Sequence, residues 1–168
     1  MASEYEVSLR PRDFMRTNGP LTTNDLAPSG ASAGLRLLKS DVTGYTAIFR
    51  ATSTVIGTGL TVKLLVVDDG KDSNDLGKVV RLGAAVKLIA SGTDDLTTTG
   101  IGTEVEGSLT LDATTGQAVE LSIALTAAEA DSIAALGWGM LRVRRIGTAA
   151  TDTCQGTAIL LAVEVINT

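Results

Sequence analysis

What most constrains this chain is a hydrophobic alternation of period two that returns eight times after residue 34. Leu60, Val62, Leu64 and Val66 fall on one side of "GLTVKLLVV", with Thr61 and Lys63 on the other. "KVVRLGAAVKLIA" sends Val80, Leu82, Ala84, Val86 and Leu88 one way while Arg81 and Lys87 point the other. The same reading holds for "LRLLKS", "TGYTAIFRAT", "EVEGSLTL", "AVELSIALT", "GMLRVRRI" and "TAILLAVEVI". Successive side chains on a strand face opposite ways, so this pattern predicts half-buried antiparallel strands. Eight such strands with uneven connections predict an all-β, antiparallel jelly-roll sandwich. Its core is expected to hold Leu60, Val62, Leu64, Val86, Leu121, Ile123, Leu141 and Val143.

One segment departs from period two. Thr126 followed by Glu129 forms a capping box, and Gly137 closes "AAEADSIAAL", so the spacing predicts one short helix over about 127–136. Residues 1–34 hold all three prolines (Pro11, Pro20 and Pro28) and sustain no period. They read as an extended N-terminal arm, leaving residues 35–168 as the jelly-roll domain.

Composition removes whole classes of chemistry. The chain has no histidine and one cysteine, Cys154. Histidine-dependent triads, imidazole metal sites, thiolate zinc sites and an internal disulfide are therefore not expected. The net charge of −5 repels phosphate backbones, so nucleic acid is not an expected partner. No apolar run approaches membrane-spanning length, and charges in "MASEYEVSLRPRDF" stand where a secretion signal would be apolar. One tryptophan, two tyrosines and two phenylalanines are few for a sugar- or base-stacking platform.

The remaining polar groupings each have an ordinary reading. Asp68, Asp69, Asp72 and Asp75 could wrap a hard cation, but they lack the glycine and terminal glutamate spacing of a calcium loop and suit a polar turn. Glu104 and Glu106 share a strand face, near Asp94 and Asp95, without an aromatic subsite for glycoside chemistry. Cys154 has no base to activate it. Arg142 and Arg144 alternate with Leu141 and Val143 and so face away from the core as an interface strand, while Arg145 stands at the strand end. No catalytic residue, cofactor or metal site is expected.

The order of segments "YTAIFRATS", "GLTVKLLVVDD", "VVRLGAAVKLIASG", "LTLDATTGQAVELSIALT" and "WGMLRVRRIGTAATDTCQGTAILLAVEV" resembles a set of small tailed-phage virion proteins. The likeness covers roughly residues 35–166 and departs at "FRAT", where those proteins more often carry a proline. The resemblance implies a non-enzymatic jelly-roll protein of the phage head, similar to capsid cement or decoration proteins. It also implies assembly in the host cytoplasm, the major capsid protein as partner, a homotrimer, and a place on the outer capsid surface. Apolar residues on both faces of two strands, such as Leu65 and Val67 or Leu160 and Ile166, suit such an oligomer. The arm would then reach the shell through Arg10, Arg12, Phe14 and Arg16. The alternative is a carbohydrate- or receptor-binding jelly roll of a phage tail or baseplate.

Overall fold

A computed structural model of the chain describes residues 6–16, 34–39, 44–51, 59–71, 73–90, 92–94, 100–131 and 137–167. They form ten strands: β1 (Glu6–Leu9), β2 (Phe14–Arg16), β3 (Leu35–Leu37), β4 (Tyr45–Arg50), β5 (Gly59–Asp68), β6 (Val79–Ile89), β7 (Val105–Thr110), β8 (Val119–Thr126), β9 (Trp138–Arg145) and β10 (Ala158–Asn167). All eight expected strands are present, from β3 to β10.

Two antiparallel sheets pack face to face. The first runs β1-β10-β5-β8, with β3 also paired to β10. The second runs β2-β4-β9-β6-β7. After β4 the chain passes from one sheet to the other at each connection except β6 to β7, which are direct neighbours. This is the wrapping of a jelly roll. Its first edge strand is divided in two. β1 pairs with Val163 to Ile166 of β10, and β3 pairs with Ala158 to Leu160 further along the same edge.

The alternating residues meet between the sheets. Val62, Leu64, Val66, Val80, Leu82, Ala84, Val86, Leu141 and Val143 are wholly buried. Of the expected core set only Leu121, on edge strand β8, is half-buried. β10 follows a different phase in each half. Ala158 and Leu160 face inward, the register against β5 shifts between Leu160 and Ala162, and then Val163 and Val165 face inward. A bulge places two residues opposite one and so reverses the parity of the strand. It explains why "AILLAVEVI" looks apolar on both faces, and it removes Leu160 from the surface on which the oligomer was expected to rest.

Two expectations change. The supposed arm is part of the sandwich over its first half: β1 joins one sheet and β2 joins the other through Phe14↔Ala47. Residues 17–33 of it lie outside the described residues. The helix expected over 127–136 is, as far as residue 131, a single turn. Its capping box forms, with Thr126 N–H donating to Glu129 Oε2 (2.7 Å) and Glu129 N–H to Thr126 Oγ1 (3.3 Å). Ala130 N–H then bonds Thr126 O at 2.9 Å, but Asp131 takes φ +55° and leaves the helical path. Its carboxylate accepts the Leu88 amide at 2.9 Å and pairs with Lys87 at 3.3 Å, tying the turn to β6 instead of extending it. Residues 132–136 lie outside the described residues.

Candidate functional site

The outer face of the second sheet gathers exposed charged and apolar side chains. Register across β4, β9 and β6 sets Thr46, Arg142 and Ala85 in one row, Ile48, Met140 and Lys87 in the next, and Arg50, Trp138 and Ile89 in the third. Met15 on β2 stands beside Thr46. Each row carries one cation (Arg142, Lys87 or Arg50), and apolar side chains are densest over the second and third rows.

Beside the first row Glu104 is the hub. It accepts from Arg144 Nε at 2.7 Å and Nη2 at 2.6 Å, a two-pronged pairing, and from Arg142 Nη2 at 3.2 Å. A Cβ built on Gly83 would lie 2.7 Å from Glu104 Cδ, so the bare glycine lets the carboxylate lie down on β6. Burial pushes the Glu104 carboxyl up, but the bonds and charges of Arg144 and Arg142 outweigh it and hold the group below its ordinary range. Beside it Arg81 donates to Glu106 Oε2 at 2.7 Å and to Ser108 Oγ at 3.1 Å. Both glutamates are thus engaged by guanidinium groups, which suits a rigid ladder and not acid–base catalysis.

Among the apolar side chains Met15, Ile48 and Trp138 are 54%, 41% and 48% exposed. Half-buried Met140 and Ile89 join them into one strip. Arg50 lies over the indole of Trp138, 5.6 Å from the ring centroid. Ile48 carried an outward parity in the sequence, whereas Trp138 lay just before the expected strand "GMLRVRRI". That they form one strip with Met15 and Met140 follows only from the order β2-β4-β9-β6.

The other sequence candidates fall elsewhere. Arg142 and Arg144 do face outward, as expected. Arg145 keeps the inward parity of Leu141 and Val143 and is 2% exposed. Its five donors are all used: Nε and Nη2 reach Asp152, Nη1 reaches Leu37 O and Gly156 O, and Nη2 also reaches Cys154 O. Cys154 is buried beside it, and burial raises its thiol pKa, so the sulfur stays protonated at neutral pH. Phe14 is 2% exposed and belongs to the core, so it offers no external anchor. Arg10 and Arg12, on the turn between β1 and β2, are exposed, and Arg16 is half-buried.

In the acidic loop Asp68 accepts the amides of Gly70 (2.8 Å) and Gly116 (2.9 Å), while Asp75 is buried and accepts the Gln155 amide at 2.9 Å. These carboxylates brace separate turns. Asp72 lies outside the described residues, and among the described residues no three metal-ligating side chains gather. Asp94 caps the amide of Ala90 at 2.7 Å; Asp95 lies outside the described residues.

No family model and no curated protein matches the chain. Among solved structures it is similar to a family 35 carbohydrate-binding module from Clostridium thermocellum, at 12% identity and a TM-score of 0.47, over 96% of this chain and 97% of that one. It is also similar to the xylan-binding module CBM15, at 10% identity and 0.48, over 98% and 97%. Infectious bursal disease virus, Gt strain, gives 12% identity and 0.39 over 98% of this chain and 32% of that one.

Proposed function

We propose that this chain is a non-catalytic structural protein that docks on another protein through the outer face of its second sheet. The observation that carries the reading is the apolar strip of Met15, Ile48, Met140, Trp138 and Ile89 laid beside the Arg–Glu ladder. Protein interfaces place exposed aromatic, methionine and aliphatic side chains at the centre and charged groups at the rim. The sequence resemblance to phage cement proteins supplies the candidate partner, a major capsid protein, and the candidate place, the outer surface of the shell. Exposed Arg10 and Arg12 offer a secondary contact. Purified protein mixed with undecorated capsids should co-sediment, and Ile48→Asp should abolish this; equal binding by the variant would reject the face.

A second reading is favoured by one observation, the half-exposed indole of Trp138. An exposed ring can stack on a pyranose, and carbohydrate binding is the alternative reading even though five aromatic residues are few for a sugar platform. A glycan array separates the two readings. Binding lost in Trp138→Ala but kept in Ile48→Asp points to sugar, whereas loss of capsid binding in Ile48→Asp points to protein.

A further inference from the structure

We propose that the outer edge of β8, which pairs with no further strand among the described residues, pairs with the β8 edge of a second copy, joining the first sheets of two molecules into one continuous sheet. The four sheet edges are not alike. One is divided between the four-residue β1 and the three-residue β3, and another is the three-residue β2. β7 has six residues and contains Gly107. β8 runs eight residues, pairs with β5 without a register shift, and contains no lysine, proline or glycine. Unprotected edges of that length present a full row of amides and carbonyls, which natural sheets otherwise guard.

The same edge leaves apolar side chains incompletely covered. Val119 and Leu121 face inward yet are half-buried, as is Val105 opposite them on β7. A Cβ on Gly107 would lie 3.2 Å from both Leu121 and Ile123, so β7 already packs closely on β8 at this point. A further strand beside β8 would cover Val119 and Leu121 from its other side.

Register selects a second copy as the occupant. A two-fold axis through Ser122 sets Val119 opposite Leu125 of the partner and Leu121 opposite its Ile123 on the inner face. On the outer face Glu120 stands opposite Ala124, and Ser122 opposite itself. Apolar residues meet apolar ones, and no carboxylate faces another. Glu120 is already neutralised by Lys63 on β5, at 3.6 Å. An axis through Ile123 would leave Val119 unpaired, and one through Glu120 would oppose two acids. A two-fold of this kind leaves the docking strip on the second sheet open.

The test uses the full chain. Sedimentation velocity should report a dimer; a monomer, or the trimer expected from the sequence resemblance, overturns the pairing. Ser122→Cys places two thiols across the axis, where opposed Cα atoms stand about 4.5–5.5 Å apart, within disulfide reach. Mild oxidation should then crosslink it at least about tenfold faster than Ala124→Cys, whose thiols would lie about 13 Å apart. Equal or absent crosslinking in a chain that still dimerises overturns the proposal. Ser122→Lys should dissociate the dimer while its circular dichroism stays that of the parent, and a persisting dimer would reject the edge.

Discussion

Arg145 and Asp152 face one another in the interior, Nη2 to Oδ1 at 2.7 Å and Nε to Oδ2 at 2.8 Å, with both side chains fully withdrawn from solvent. The guanidinium also bonds the carbonyls of Leu37, Cys154 and Gly156, joining β3, β9 and the loop before β10. Arg145→Leu leaves a carboxylate and three carbonyls without this donor. The expected loss is about 3–5 kcal/mol by urea denaturation. A loss below about 1 kcal/mol, the scale of an exposed pair, would mean that the pair is solvated.

Phe14 anchors β2 from inside the core, so Phe14→Ala should cost about 3–5 kcal/mol. Arg12→Ala, on an exposed side chain, should change stability by less than about 0.5 kcal/mol. Thermal melts of the two variants test whether this stretch is scaffold. Deleting residues 1–30 should likewise lower the melting temperature, because it removes β1 and β2 from both sheets.

The Glu104 cluster predicts an acid dependence. Its carboxyl is held below the ordinary value of 4.5, so folding favours the charged form. That stabilisation is complete above the ordinary value and is lost as pH falls through the lower, folded-state value. Glu104→Gln should cost about 1–3 kcal/mol at neutral pH. The gap between the two proteins should narrow as the solution is acidified below the ordinary carboxylate value. A gap that stays constant with pH would place the effect in packing and not in charge.

The docking strip predicts a separation of binding from stability. Ile48→Asp and Met15→Asp change exposed positions and should leave the melting temperature within a few degrees of the parent. Each should weaken capsid binding at least about tenfold, since a charge at an interface centre must be desolvated. Calorimetry and co-sedimentation on the same preparations check both halves.

Period two made β3 to β10 readable because their inner faces are built mainly of Val, Leu, Ile and Ala, with Tyr45 and Phe49 on β4. β1 and β2 gave no such signal. They are four and three residues long, separated by Pro11, and among their described side chains only Leu9 and Phe14 are buried. The inward position of Arg145 was hidden by its charge, since its partner Asp152 lies beyond a turn. The bulge at Leu160–Ala162 was hidden by a run of apolar residues that fits either phase. At the candidate site, parity revealed which way Arg142, Arg144 and Ile48 point. Their association with Glu104 and Met15 depends on long-range pairing that local pattern does not carry.

The place of β10 sets the order in which this molecule can be made. It is the hydrogen-bonded neighbour of β1, β3 and β5. On the ribosome, until residues 158–167 emerge, the first sheet consists of β5 and β8 alone, and β1 and β3 have no strand to join. The second sheet, complete once β9 is synthesised, meanwhile has its inner face only partly covered. A nascent chain stalled before residue 158 should therefore remain protease-sensitive and prone to aggregate, and release of the last strand should convert it in one step.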